Sequence, residues 1–447
     1  MNGGSNMQLI LFPLPYEGHM NPMLHLAQIL HSKGFSITII HIQHINSPHP
    51  SDYPSFTFRS IPHGLSGSDV TSRGVVEIIT LVNDGRCVEP LRKCVAELVA
   101  ASNIGCLITD AHWHFTQSVA DEFQIRRVVL RTGNISAFLA MVGLPDLRRN
   151  GLLRSSEDPL PDFPHLRVKD LPAVKAQSPL LIEQLLSSIL IQTKASSALI
   201  FNSFNDLEHE PLLRCRQLFS PNPIFPLGPF HKQLPLTQTS LPPQPPHSSL
   251  SWLNTKPRKS VLYVSFGTLA TIDPHEFVEI AWGLANSSYC FFLWVVRPGM
   301  VSGSEWLESL PDGFVEMVGE RGLIVKWAPQ REVLAHPAIG GFWTHNGWNS
   351  TIESICEGVP MLCYPCLGDQ MANARYVSDV WGIGLLLGDK LERGEIEKGI
   401  RKLMTERENG GILTRAKDLK EKADFCIKEG GSTFQSLQNL VDFILNT

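Results

Sequence analysis

The chain has 447 residues, 43% of them hydrophobic and 18% charged, with a net charge of −5. That length suits two domains of about 200 residues each, and the composition excludes a disordered chain. The acidic balance gives no reason to expect nucleic acid or an anionic membrane as a partner, and nine scattered cysteines point to reduced thiols in the cytosol rather than a disulfide framework.

The N-terminal apolar stretch is broken by Pro13, Pro15 and Glu17 and is too short for a membrane or signal helix. Asn2 after Met1 gives no myristoylation signal. Residues 8–12, 36–42, 56–61, 105–108 and 127–130 read as strands. Between them, 22–32, closed by Gly34, and 75–101 read as amphipathic helices. The pattern returns in the second half with strands at 261–266, 291–296, 322–326, 341–344, 360–364 and 384–387. Such βαβ alternation predicts an α/β protein whose parallel sheets are covered on both faces. The stretch 227–250 holds Pro229, Pro235, Pro242, Pro243, Pro245 and Pro246 and can continue neither a helix nor a central strand. The expected division is a domain over 1–227, a linker over 228–250, a second domain over 251–430 and a final helix over 431–447. Ligands of such sheets bind outside the carboxyl ends of the strands, here in a cleft between the halves.

Leu14-Pro-Tyr-Glu-Gly-His19-Met-Asn-Pro22 follows the first strand. His19 is the candidate general base, because an imidazole titrates near pH 6.5 and can accept a proton at cytosolic pH. Asp110 ends the strand Cys106-Leu-Ile-Thr-Asp and is expected to reach the same cleft. A carboxylate on the far imidazole nitrogen fixes the tautomer and stabilises the imidazolium, as in a serine-hydrolase triad, with a substrate hydroxyl as nucleophile. His112 and His114, flanking Trp113, are rival bases and are read as lining the acceptor pocket.

The most informative segment is WAPQREVLAHPAIGGFWTHNGWNSTIESICEGVPMLCYPCLGDQ, the 44 residues from Trp327 to Gln370. Residues 340–345 form an apolar run ending in His345, Asn346-Gly347 turns the chain, and a helical period runs from Trp348 to Glu357. A helix opening with Asn349, Ser350 and Thr351 after a glycine turn makes an anion site from its free N–H groups and its dipole. His345 adds a donor, and Glu353, one turn in, suits sugar hydroxyls. Trp327 offers an indole on which a uracil can stack, with Gln330 and the backbone near Ala328 at the base edge. Taken singly, these residues read as a core aromatic, a solvated helix face and a strand cap. Gathered in one segment they argue for a nucleoside diphosphate.

This segment resembles the signature box of the plant family 1 UDP-glycosyltransferases at both ends and at nearly every polar position between. The resemblance extends from Gln8 to the C-terminal helix and is closest to the subgroup containing the steviol-glycoside glucosyltransferases. It implies the GT-B fold: two Rossmann-like domains with parallel sheets facing a central cleft, acceptor in the first and donor in the second, and a last helix near 432–445 crossing back onto the first. It places Trp327, Ala328 and Gln330 on uracil, Glu353 on the ribose, and His345, Asn349 and Ser350 on the phosphates, with Trp348 in the same donor-binding set. Asp369 and Gln370 meet the sugar, the terminal glutamine accompanying a preference for glucose, and Ser265-Phe-Gly-Thr268 resembles a loop that touches the diphosphate.

The reaction so implied is inverting transfer of glucose from UDP-glucose to a hydroxyl or carboxyl of a small plant metabolite such as a terpenoid, flavonoid or other phenolic, with His19 and Asp110 as the catalytic pair. UDP-glucose is the donor co-substrate and no further cofactor is implied. No Asp-x-Asp motif occurs, so no metal is expected. The acceptor pocket is expected from Tyr16, Trp113, Arg131, Thr132 and the stretch 180–190. Arg131 stands where steviol-type enzymes carry an apolar residue, which points to a more polar or acidic acceptor or to an arginine snorkelling to the surface. A cytoplasmic monomer is expected. The competing readings are a GT-B-type epimerase or phosphorylase, and a nucleotide-sugar binder without turnover. A nicotinamide oxidoreductase is disfavoured, because no Gly-x-Gly-x-x-Gly follows the first strand.

Overall fold

The computed structural model describes residues 7–43, 45, 47–64, 75–151, 155–171, 179–234, 248–388, 390–406 and 411–446. Most of the expected proline-rich linker, 235–247, lies outside the described residues. The chain divides into two compact units: Met1–Arg154 with Ala173–Pro242 and Phe425–Thr447, and Ser155–Pro172 with Pro243–Asp424.

The first unit is built on β1 (Met7–Phe12), β2 (Ser36–Ile42), β3 (Thr57–Ile61), β4 (Asn103–Asp110), β5 (Arg127–Arg131), β8 (Ala198–Phe201) and β9 (Ile224–Pro226). They form one parallel sheet in the order β3-β2-β1-β4-β5-β8-β9. Its strands are apolar on both faces because both are covered. Leu9 and Leu11 of β1 point into the core shared with the Glu17–Ser32 helix, while Ile10 and Phe12 point into the core shared with Val88–Ala101. The Ser432–Leu445 helix belongs to this unit, burying Leu437, Leu440 and Ile444 in the core that holds Leu9 and Leu11. Arg126 ties it down, donating from Nη1 to the Phe443 carbonyl at 2.6 Å.

The second unit repeats the plan with β10 (Val261–Ser265), β11 (Phe291–Val295), β12 (Gly322–Val325), β13 (Ile339–Thr344), β14 (Met361–Cys363) and β15 (Gly384–Leu386), parallel in the order β12-β11-β10-β13-β14-β15. The strand order reverses between β1 and β4 in one unit and between β10 and β13 in the other. At such switch points the loops leave in opposite directions and open a crevice at the strand ends. Both central strands slip register there, at Gln8/Leu9 against β4 and at Val261/Leu262 against β13.

The structure departs from the sequence reading in four places. The first helix begins at Glu17 rather than at Pro22, so His19 stands on its first turn, with its backbone N–H on the Tyr16 carbonyl at 2.8 Å. The single helix expected over 75–101 breaks into Val75–Leu81 and Val88–Ala101, because Gly85 takes a φ of 91° between them. The strands β8 and β9, of four and three residues, are too short to carry a periodic signal. Finally, Ser155–Pro172 groups with the second unit, although its sequence position lies within the expected first domain. That segment holds the antiparallel pair β6 (Pro159–Leu160) and β7 (Phe163–Arg167). A buried ion pair from Arg375 to Asp170, 3.2 Å between Nε and Oδ2, anchors it.

Candidate active site

Asp110 ends β4 with its carboxylate buried, 1% exposed. A carboxylate out of water needs partners for its charge, and it has three. Oδ2 lies 2.7 Å from Nδ1 of His19. Oδ1 lies 2.7 Å from Nδ1 of His112 and accepts the His112 backbone N–H at 3.0 Å. Burial by itself pushes this carboxyl up, but the fields and hydrogen bonds of His19 and His112 outweigh it and hold the group well below the usual carboxylate range. An ionised carboxylate only accepts, so each Nδ1 donates to it and each Nε2 is the ring nitrogen that Asp110 does not engage. The switch point between β1 and β4 thus presents an imidazole backed by a buried negative charge. Thr132, just beyond β5, adds its hydroxyl 3.0 Å from the same Nδ1 of His19.

The other expected acceptor residues part company here. Tyr16 is the N-cap residue of the Glu17–Ser32 helix, and burial pushes its phenol up. Trp113 is a correction. Its indole is wholly buried, stacks on Phe12 with centroids 5.5 Å apart and donates Nε1–H to the Pro13 carbonyl at 3.0 Å. It is a core residue that props the segment leading to His19, not a pocket wall. Arg131 neither snorkels nor opens to solvent. It is 6% exposed, with its guanidinium 4.4 Å from the Phe138 ring centroid. Leu185, in the expected stretch 180–190, packs beside Ala111 from the Pro179–Ala195 helix.

In the second unit the switch point lies between Ser265, ending β10, and His345, following β13. The His345 imidazole occupies space that two glycines leave open. A Cβ on Gly267 would stand 2.5 Å from its Nε2, and one on Gly347 would stand 2.6 Å away. Burial lowers the His345 pKa to about 4, so the ring is a neutral donor rather than a cation. Gly347 is the N-cap residue of the Trp348–Glu357 helix and supplies no side-chain cap bond, so the helix opens on a glycine turn with its positive dipole end at the switch point. Thr268 is exposed on the loop after β10, and that loop is braced by Arg297, which donates to the carbonyls of Gly267 and Ala270. Sequence reasoning missed Arg297. Its place two residues beyond the end of β11 was the only available signal.

Trp327, just beyond β12, is 47% exposed, and Ala328 beside it is buried. Gln330, Ser350 and Glu353 are brought together more tightly than expected. The Gln330 amide Nε2 donates to Ser350 Oγ at 2.9 Å and to Glu353 Oε2 at 2.8 Å. Burial raises the Glu353 carboxyl to about 7. Asn349 is half-buried on the same first turn. The Trp348 indole is 4% exposed and tilted against Trp381, so its side chain packs in the core.

Asp369 is the N-cap residue of Gln370–Arg375. Gln370 accepts the backbone N–H groups of Cys366 and Leu367, both at 2.8 Å, through Oε1. Two donors on one end fix the amide, so Nε2 is the end left for a ligand.

A family model described as UDP-glucoronosyl and UDP-glucosyl transferase matches residues 210–416. The chain is 47% identical over 443 residues to UDP-glycosyltransferase 76B1 of Arabidopsis thaliana, covering 98% of each chain. It is 45% identical over 453 residues to UDP-glycosyltransferase 76G1 of Stevia rebaudiana, covering 98% of this chain and 96% of that one. The crystal structure of UDP-glucose: anthocyanidin 3-O-glucosyltransferase in complex with UDP aligns with a TM-score of 0.87 at 25% identity, over 99% of this chain and 100% of that one. No described helix is long and apolar enough to cross a membrane.

Proposed function

The chain belongs to the plant UDP-glycosyltransferases of the GT-B fold and uses a UDP-sugar donor, and from that premise we propose that it transfers glucose with inversion, using His19 as general base and Asp110 as its partner. The acceptor O–H gives its proton to Nε2 of His19 as oxygen bonds to the anomeric carbon. The bond from that carbon to the diphosphate breaks with its electron pair, and UDP leaves. Attack opposite the leaving group turns UDP-α-glucose into a β-glucoside. Asp110 holds the Nδ1–H tautomer and stabilises the imidazolium that forms. The observation that carries this reading is the 2.7 Å contact between His19 and a buried, ionised Asp110.

On the donor side, Trp327 stacks the uracil, Glu353 receives the ribose hydroxyls, and Asn349, Ser350 and His345 donate to the phosphates. His345 contributes an N–H and no charge, so the charge developing on UDP falls to the helix N-terminus and the loop braced by Arg297. Nε2 of Gln370, with Asp369, meets glucose hydroxyls. The acceptor class is a hydroxyl-bearing, largely apolar plant metabolite. The leucine-rich Pro179–Ala195 helix supports this, since it packs Leu185 beside Ala111, the residue after Asp110.

The test is UDP release from UDP-glucose, with EDTA present, across flavonoids, terpenoid alcohols, simple phenols and aromatic acids. Acceptor-dependent release that falls by about 10²–10⁴ in His19→Ala is expected. Full activity in that variant, or a requirement for added metal, would overturn the proposal.

A further inference from the structure

Asp110 serves two imidazoles. His19 takes one carboxylate oxygen and His112 the other, both at 2.7 Å and both through Nδ1. A purely structural tie needs no ring at the site. The His112 ring, however, stands edge-on to His19 with centroids 5.1 Å apart, and the two are similarly open to solvent, 25% for His19 and 23% for His112. Asn83 Nδ2 donates to the His112 carbonyl at 2.8 Å and pins the loop. Sequence reasoning treated His112 as a rival base or a pocket wall, and neither role uses the bond to Asp110.

We propose that His112 is a positioning residue that sets the basicity of His19 through their shared carboxylate. Its Nδ1–H orients Asp110 so that Oδ2 faces His19, and it draws part of the carboxylate charge onto Oδ1. His19 therefore feels less than a full counter-charge, and its imidazolium is stabilised less than a lone histidine–aspartate pair would allow. The base stays unprotonated to lower pH. This rests on the reading of His19 as the base. The other charged or titratable groups whose fields reach the cluster are Arg127 and Arg131 on β5 and His114 beyond Trp113. All three are unchanged in the variants below. The His112 ring is itself kept neutral, burial pushing its pKa down.

The direction follows from the charge. Removing the Nδ1–H donor returns charge to Oδ2 and raises the pH at which His19 loses its proton. The experiment follows the titration of the His19 ring by NMR in full-length protein labelled with ¹⁵N-histidine, assigned with His19→Ala. His112→Leu, His112→Asn and His112→Gln are compared with the parent. Asparagine can place an amide N–H where Nδ1 stood, whereas glutamine places it nearer Nε2. We expect the His19 midpoint to rise by about half a unit to one unit in His112→Leu, to return in His112→Asn, and to stay raised in His112→Gln. An unmoved midpoint in His112→Leu overturns the proposal, as does recovery by glutamine and not by asparagine. The acceptor-panel assay of His19→Ala is read separately. Transfer retained there removes His19 as the base and leaves the titration result standing on its own.

Discussion

His345 can lie where it does only because residue 267 has no side chain: a Cβ there would stand 2.5 Å from the imidazole Nε2. Gly267 also takes a φ of 72°, a conformation that costs other residues about 1–2 kcal/mol. Gly267→Ala therefore meets two penalties at one site. Its KM for UDP-glucose is expected to rise by about tenfold or more, with the KM for acceptor changing far less. Equal changes in both would remove His345 from the diphosphate.

Glu353 makes donor binding depend on pH. Ribose hydroxyls donate to the ionised carboxylate, whose pKa burial lifts to about 7. UDP affinity, followed by calorimetry from pH 5.5 to 8.5, is expected to fall as pH drops through 7, approaching tenfold per unit. The linkage for stability has the opposite sense. A raised folded-state pKa stabilises the protein below the unfolded value near 4.5, and that contribution is lost as pH rises through about 7. Glu353→Gln is expected to flatten both dependences, and an affinity already flat in the parent would take Glu353 off the ribose.

Gln370 separates two roles within one side chain. In Gln370→Glu, one oxygen can keep the Cys366 and Leu367 N–H groups while the other replaces a donor with an acceptor. The loop is expected to hold while UDP-glucose KM rises by about tenfold, the cost of a hydrogen bond to a charged or polar partner lost in a closed site. Inhibition by UDP, which has no glucose, is expected to change less. A parallel loss for UDP would show that Nε2 does not face the sugar.

The Asp170–Arg375 pair carries stability rather than chemistry. Asp170 also accepts the Arg167 backbone N–H at 2.8 Å, so Asp170→Ala leaves that amide without its acceptor and the mostly buried Arg375 guanidinium with Asp379 alone, 3.3 Å away. A loss of about 1–3 kcal/mol is expected, read as a lower melting temperature and earlier proteolysis within 155–171. An unchanged melting temperature would show that the segment is held by other contacts.

The two parallel sheets were legible in the sequence because strands covered on both faces are written as short, continuous apolar runs. The candidate donor site was legible because a helix N-terminus after a glycine turn is a local feature, complete within 44 residues. What stayed hidden depends on which way a side chain turns and on how much water surrounds it. Trp113 and Trp348 lie next to functional residues in sequence but turn into the core. The neutrality of His345 and the raised carboxyl of Glu353 come from burial by segments distant in sequence. The sharing of Asp110 by His112 depends on a loop conformation that no periodicity records. The Ser155–Pro172 segment was misplaced because proximity in sequence to β5 says nothing about the ion pair to Arg375.

The first unit has all seven of its strands by Pro226, but Leu437, Leu440 and Ile444 still have to fill its core. During synthesis on the ribosome, the second unit emerges before those side chains do. The nascent first unit must wait with Leu9, Leu11 and Phe225 incompletely covered, a long-range closure of the kind that slows folding and exposes apolar surface to aggregation. Its assembly is therefore timed by the Ser432–Leu445 helix, and chaperone dependence should follow the delay between Pro226 and Leu440 rather than the stability of the finished fold.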